Sequence, residues 1–322
     1  MRFILGVVAL LAVLYGGYWF VGQGAVERGA AAAFAEMEAR GIEATHEGIA
    51  TVGFPSRFDT TVTTPRLRDP VTGLGWTAPW MQVFALSYMP NAVIAYLPDE
   101  QTILLPDQAV AVAAEDIRAS ASVGFSPALP FDDLTVQSGP LTLTGETGWQ
   151  AGLARALVAM RRAGVEAPAY DLWVEATDIT LPAGVAPDLP DMVPVLRLDG
   201  TVTLDREIDR HTTAARPVAV DLRTLVVDLG ETGVQAEGNL TFDASGVPEG
   251  TVTITLRDWQ RAIGIAVAAG LVPPGAAGMA ERAAAVMAGG DVDLTTALVF
   301  EAGQMRLGPL PLGPAPALLP PL

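Results

Sequence analysis

Few side chains in this chain can do chemistry, and their spacing matches no known site. The two histidines, His46 and His211, lie far apart. There is no cysteine, which excludes disulfides, thiolate nucleophiles and cysteine-based metal sites. No serine lies in a Gly-x-Ser-x-Gly elbow. The sequence therefore predicts a non-enzymatic protein with no metal, no cofactor and no catalytic residue.

Paired carboxylates are the remaining candidates for acid/base chemistry. Asp132 and Asp133 are adjacent, and Asp188 and Asp191 are close; both pairs flank prolines in predicted loops. Glycosidase-type catalysis needs two such groups brought together in space, which spacing in the sequence does not show. We interpret them as solvated or structural groups, so an envelope hydrolase is the least favoured function.

Aromatic side chains cluster in one predicted β segment, and a further tryptophan begins a predicted helix. They could line a hydrophobic ligand site, or they could form the aromatic core of a sheet. The residues proposed for a ligand groove are Trp76, Trp80, Phe84, Tyr88, Tyr96 and Trp259.

The N-terminal segment is the clearest functional signal. The run from Phe3 to Val21 has no charge and approaches the roughly 20 residues that cross a bilayer core. It is longer than a signal-peptide core, and Tyr15, Tyr18 and Trp19 near its far end suit a membrane interface. We therefore favour a retained anchor (residues 1–23) over a cleaved signal. Arg2 precedes the run, which favours a single-pass inner-membrane protein with its body in the periplasm.

Composition restricts the partners. Acidic residues outnumber basic ones by 36 to 19, which gives a net charge of −17. Nucleic-acid binding rests on neutralising phosphates with basic side chains, so nucleic acid is not expected as a partner. Half of the residues are hydrophobic, which indicates a large core or an apolar surface covered by something else.

The periodicity predicts a mainly β fold with some α: long curved antiparallel sheets, a few packed helices and an N-terminal transmembrane helix. Helical spacing predicts a stalk or packed helix over residues 24–41, and further helices over 149–163, 259–271 and onward to about 287. Short strands dominate the rest of the exported domain, residues 42–307. Two interpretations of that domain remain: a single body, or two similar halves, 42–165 and 166–307. A Pro-rich tail, 308–322, cannot be helix or central strand.

A short pattern, Gly-x-apolar-Thr-apolar, occurs four times, beginning at Gly139, Gly200, Gly238 and Gly250. We interpret each as a turn glycine followed by an alternating strand. Stacked hairpins forming one long curved sheet and an ordinary β-meander both fit this pattern.

Two motifs resemble those of a bacterial family. They are Gly53-Phe-Pro-Ser-Arg-Phe58, followed by Thr64-Pro-Arg-Leu67, and the ending from Gly303 to Pro314. The family is that of domain of unknown function twenty-one twenty-five. Its members resemble alphaproteobacterial envelope proteins with an N-terminal membrane segment, so the resemblance implies export and no particular activity. The stretch from Gly238 to Asp258 is more weakly similar to AsmA-like envelope proteins, which are associated with lipid transport.

These observations lead to one favoured function and one alternative. We expect a protein anchored through residues 3–21 that binds a lipid or another apolar ligand. The groove would lie between a curved sheet and the helices predicted at 149–163 and 259–287. The alternative is a structural protein that holds an envelope protein partner through a sheet edge or the Pro-rich tail.

Overall fold

The computed structural model describes residues 2–164, 167–182, 190–212, 214–268 and 274–318. Within these ranges strands dominate and three helices accompany them, so the mainly β prediction is confirmed. The helices are α1 (Arg2–Ala39), α2 (Trp259–Ala268) and α3 (Pro274–Ala288). The chain divides into two compact units, residues 1–125 with 134–149, and residues 126–133 with 150–322. Similarity between 42–165 and 166–307 stays a prediction.

The first unit contains short antiparallel strands. They are β1 (Glu43–Thr45), β2 (Gly48–Val52), β3 (Arg57–Thr63), β4 (Arg66–Arg68), β5 (Gly75–Thr77), β6 (Trp80–Leu86), β7 (Met89–Tyr96), β8 (Glu100–Leu104), β9 (Ala109–Ala114), β10 (Arg118–Val123) and β12 (Leu141–Gly145). Strand β11 (Phe131–Ser138) crosses the boundary between the units. One series pairs in the order β2–β3–β6–β7–β10, and the other in the order β1–β4–β5–β8–β9–β12.

The two series are halves of the same bent strands. Pro65 separates β3 from β4, Pro79 separates β5 from β6, and Pro98 lies between β7 and β8. The breaks lie side by side, because Thr64 N donates to Pro79 O (2.9 Å) and Ala78 N donates to Pro65 O (3.2 Å). Proline has no backbone N–H to donate to a neighbouring strand, so each proline interrupts the strand pairing. Because the interruptions lie side by side, the sheet bends there and continues beyond.

Helix α1 packs its C-terminal half on this bent sheet. Phe34, which is buried, contacts Ala44 and Val62. Higher up the helix, Trp19 is 3% exposed and its indole nitrogen donates to the carbonyl of Arg57 (2.8 Å). The residues before Tyr15 are mostly exposed apolar side chains, and α1 is long and apolar enough to span a membrane.

The second unit is an antiparallel meander. Its strands are β13 (Gln150–Leu153), β14 (Arg155–Arg162), β15 (Ala169–Thr180), β16 (Met192–Leu204), β17 (Pro217–Leu229), β18 (Thr232–Phe242), β19 (Pro248–Arg257), β20 (Leu294–Glu301), β21 (Gln304–Leu307) and β22 (Leu310–Pro314). From β14 onward each strand pairs with the next. Strand β22, within the Pro-rich tail, pairs with β21, and Leu318 N donates to Gly246 O (2.9 Å). The described part of the tail is thus attached to the sheet.

The helix predicted over 149–163 is wrong, because this segment forms β13 and β14. Its apolar residues fit a helical period, but Ala156 to Met160 is also an unbroken apolar run, as a strand packed on both faces can be. A short apolar run does not distinguish the two. The ladder offered by β15, which pairs along all of β14, decides in favour of a strand.

The helices predicted after residue 258 are confirmed over Trp259–Ala268 and Pro274–Ala288; residues 269–271 of the first prediction lie outside the described residues. Trp259 and Ile263 of α2 pack with Ala284 and Ala288 of α3 and with Leu294 of β20. The helix pair thereby covers one end of the second unit's sheet.

The turn predicted at each recurrent glycine is confirmed for Gly139, which lies between β11 and β12, and is wrong for the other three, since Gly250 lies inside β19. Gly200 lies inside β16 and Gly238 inside β18, and each faces Leu222 of β17. Gly238 has φ +153°, and a Cβ there would lie 2.2 Å from Thr251 O. The strand pairing also shifts register next to Gly200 and after Leu222, beside these two glycines. Bulges and glycines in strand interiors let a sheet coil sharply.

Candidate ligand-binding face

One face of the second unit's sheet carries three complete rows of uncharged side chains across seven strands, β14 to β20. We call it the apolar face. The rows follow from the registers of neighbouring strands. The central row is Val158, Val174, Leu198, Leu225, Ala236, Ile254 and Thr296. The flanking rows are Ala156, Ala176, Leu196, Val227, Val234, Leu256 and Leu294, and Met160, Leu172, Gly200, Leu222, Gly238, Val252 and Leu298.

The apolar face is only partly closed. Helices α2 and α3 cover the end that contains Leu256 and Leu294. Away from the helices, side chains such as Leu172, Leu198 and Leu225 are half-buried rather than buried. Strands lie about 4.8 Å apart and successive residues on one face about 7 Å apart, so the three rows cover roughly 29 Å by 14 Å. A surface of this size can accommodate an extended hydrocarbon chain.

The opposite face of the same strands carries the charges. Asp171 accepts hydrogen bonds from Thr201 Oγ1 (2.7 Å) and Arg161 (3.3 Å), and Arg223 forms ion pairs with Asp171 and Asp199. The hydroxyl of Thr201, helped by the two guanidinium groups, holds the pKa of Asp171 below its ordinary value. Charge is thus satisfied on one side of the sheet and absent from the three rows on the other.

The side chain of Arg162 marks one margin of the apolar face, in a fourth row that begins with Arg162, Tyr170 and Val202. The guanidinium pairs with Glu207 (3.2 Å) and donates to Phe131 O (3.4 Å), while its Nη2 atom is buried without a hydrogen-bond partner. Tyr170 is 1% exposed and accepts from Ile208 N (2.9 Å). This corner combines an apolar wall with one cation.

The first unit contains an open cavity of about 520 Å³ at the bend of its sheet. It is lined by Thr64, Thr77, Ala78, Pro79, Glu100, Gln101, Thr102, Ala111, Val112, Ala113 and Thr144. Threonine hydroxyls, small side chains and one carboxylate make this wall more polar than the apolar face. It suits a hydrocarbon chain less well.

The structure brings together only some of the aromatic residues proposed for a groove. The rings of Phe84 and Tyr96 meet edge to face at 5.6 Å, and Trp80 lies on the same face of β6 as Phe84. Tyr88 lies in the β6–β7 turn with 67% of its surface exposed. The aromatic side chains of the first unit therefore do not converge on one wall.

Two tryptophans of the proposed set have hydrogen-bonded places of their own. The indole nitrogen of Trp76, on β5, donates to Gln101 Oε1 (2.8 Å). Trp259 belongs to the second unit, is 6% exposed and donates to Asp291 O (3.1 Å). Whether any of the six contacts a ligand stays a prediction.

The titratable candidates that the structure describes do not converge on one site either. His46 packs its ring against Phe34 at 4.8 Å, and His211 lies in a loop, where Arg210 Nε donates to it (3.0 Å). Asp132 and Asp133 lie in β11, and Asp188 lies outside the described residues. Among the described residues, no three His, Asp or Glu side chains are grouped as metal ligands.

The sequence contained a signal for the apolar face that periodicity alone did not isolate. Strands β15 to β19 alternate apolar with polar residues, as in Val220-Asp221-Leu222 and Val252-Thr253-Ile254. The sequence does not show the register between neighbouring strands, and it is this register that aligns the apolar positions into rows. Strand β14 was missed because it had been interpreted as a helix.

Comparison with known proteins gives one match. The model of a family described as uncharacterised protein conserved in bacteria (DUF2125) matches residues 19–316. No curated protein and no solved structure matches the chain significantly. The matched region begins at Trp19 and covers most of both units.

Proposed function

This chain belongs to the DUF2125 family of uncharacterised bacterial proteins, and we propose that it is a membrane-anchored envelope protein that binds a lipid through its acyl chain. The binding surface is the apolar face of the second unit. Helix α1 holds the protein at the membrane from which the lipid comes. The proposal assigns the protein a binding role and no catalytic step.

The continuous apolar face is the observation that supports this proposal. The three rows contain no charged residue and extend across seven strands. A half-buried apolar surface of this extent is typical of interaction sites. Apolar area removed from water by a bound chain contributes about 25 cal/mol per Å². A hydrocarbon chain is therefore the kind of ligand that this surface would bind.

The proposed location is supported by the N-terminal segment. Helix α1 passes the length and hydropathy requirements of a membrane span. Arg2 precedes its apolar part, whereas Glu27 and Arg28 after it offset each other. The positive-inside bias then supports an inner-membrane anchor with the body in the periplasm.

The alternative function is attachment of an envelope protein through a sheet edge or the Pro-rich tail. Strand β22 pairs with β21 and carries Pro311 and Pro314, residue types that suit an edge and discourage further pairing. This favours the lipid proposal over the tail-mediated one.

The test is native mass spectrometry of the full-length chain purified from its host membrane, combined with lipid extraction. We expect a stoichiometric lipid. Replacing Leu225 with Gln places an amide on the apolar face and should weaken lipid affinity about tenfold or more, which lowers the bound fraction, since an unsatisfied polar group in an apolar site costs roughly 1–3 kcal/mol.

Val226 provides the matched control, because it neighbours Leu225 in β17 but lies on the opposite face. Val226→Gln should retain the lipid. A protein that purifies without lipid, or equal loss in both variants, would contradict the proposal and favour a crosslinking search for a protein partner.

A further inference from the structure

Three loops at one end of the first unit expose apolar side chains and contain no charge. We call them the tip loops: residues 52–56, 86–91 and 123–125. The exposed fractions are 56% for Phe54, 67% for Tyr88 and 87% for Phe125. The chain has a net charge of −17, yet these three neighbouring loops are uncharged and expose aromatic rings. Such an exposed apolar surface is typical of an interaction site.

Strand directions place the three tip loops at the same end of the sheet. The turns β2–β3 and β6–β7 are both there, because β3 pairs antiparallel with β6 from Arg57 opposite Leu86. Strand β10 pairs antiparallel with β7 and so ends beside the start of β7. Asn91 Nδ2 donates to Val123 O (2.8 Å) and ties the last two loops together.

Helix α1 passes directly along the tip loops. The hydroxyl of Tyr15 is 2.9 Å from Ser87 Oγ, and the Tyr18 hydroxyl donates to Ser87 O (2.6 Å). The rings of Phe20 and Phe54 stack at 5.8 Å. The tip loops therefore lie level with residues 15–20 of the helix.

This level lies within the apolar run of α1. Only residues 3–14 extend beyond it, and twelve helical residues cover about 18 Å at 1.5 Å each. The hydrocarbon core of a bilayer is about 30 Å thick. If the helix crosses the membrane, the stretch level with the tip loops must lie within the adjoining leaflet, and the loops must lie there with it.

We infer that the tip loops insert into the interfacial region of the same membrane that α1 spans. The ligand is the bilayer surface: Phe54, Tyr88 and Phe125 lie at the boundary between the lipid headgroups and the acyl chains, where aromatic rings are favoured. Arg57, next to this region and 58% exposed, is paired with Asp59 (2.7 Å), so the charge beside the tip loops is neutralised within the protein. The inference rests on the proposed membrane anchoring and is independent of ligand binding by the second unit.

The absence of cysteine allows a direct test on the full-length chain. Tyr88→Cys and Phe125→Cys, each labelled with an environment-sensitive fluorophore, are compared in vesicles of mixed zwitterionic and anionic phospholipid. Both positions are exposed, so the substitutions should leave the fold intact. We expect a blue-shifted emission, quenching by lipids with a nitroxide on the acyl chain, and loss of quenching by aqueous iodide.

Val71→Cys is the matched control, because Val71 is 91% exposed and lies in the β4–β5 turn at the other end of the unit. Its label should remain accessible to iodide and unaffected by nitroxide lipids. Tip labels that behave like the Val71 label would overturn the inference. Labels shielded from iodide but not quenched by nitroxide lipids would also overturn it, in favour of a protein partner at this end.

Discussion

Single residues on the charged face of the second unit show how the sheet keeps its two faces different. Asp171 binds Thr201, Arg161 and Arg223, which come from three different strands. Satisfying a carboxylate this way favours the register in which charges lie together, since a shift by one residue would move them onto the apolar face. The network therefore specifies the apolar face indirectly.

We predict that Asp171 makes the second unit sensitive to acid. Its pKa is lowered in the folded protein, chiefly by the Thr201 hydroxyl, so the folded state favours the carboxylate. The associated stability is present above the unfolded-state pKa, about 3.9 for aspartate, and is lost as pH falls through the lower folded-state pKa. Thermal unfolding of the full chain in detergent, measured across this pH range, should show the loss.

Asp171→Asn removes the titrating group. It should lower stability by about 1 kcal/mol at neutral pH, because hydrogen bonds to a partly exposed charge are lost, and it should flatten the acid limb. Asp107→Asn, at an exposed turn of the first unit, is the control. An unchanged acid limb in Asp171→Asn would show that other carboxylates dominate.

The elements of the molecule differ in how well the sequence predicted them. Helices α2 and α3 were predicted over 259–271 and onward to about 287, and the structure has helices there. Strand β14 was missed because a short apolar run of this length is compatible with a helix and with a strand. Only pairing with a neighbouring strand distinguishes the two. The row of aligned apolar positions depends on register, which involves residues far apart in sequence. The fold class was thus accessible from sequence, while the face was not.

We predict that the strand-interior glycines set the curvature of the second unit. A side chain at Gly238 would collide with the backbone of Thr251, at 2.2 Å from its oxygen. Gly238→Val should therefore destabilise the protein by several kcal/mol, since it combines overpacking with a disfavoured backbone conformation. The measurement is the midpoint of thermal unfolding.

Gly264→Ala in α2 is the matched control, because nothing lies within 4 Å of the added carbon. It should be neutral or slightly stabilising, as alanine is a better helix former. If both variants retain wild-type stability, strand coiling at Gly238 does not depend on glycine.

At the scale of the whole molecule, each unit contributes a distinct surface. The first unit joins α1 to three uncharged tip loops, which suits contact with a membrane. The second presents an apolar face on one side and paired charges on the other. A protein that receives lipid from a bilayer needs both properties, a place at the membrane and a wall for the acyl chain.

Site-specific photo-crosslinking in living cells tests the lipid proposal most directly. A photoreactive amino acid is introduced at Leu225 or at the adjacent Val226, and the full-length protein is irradiated in cells grown with radiolabelled fatty acid. We predict a lipid adduct at position 225 and little or none at 226, because the two side chains lie on opposite faces of β17. Equal labelling at both positions, or no lipid at either, would contradict it.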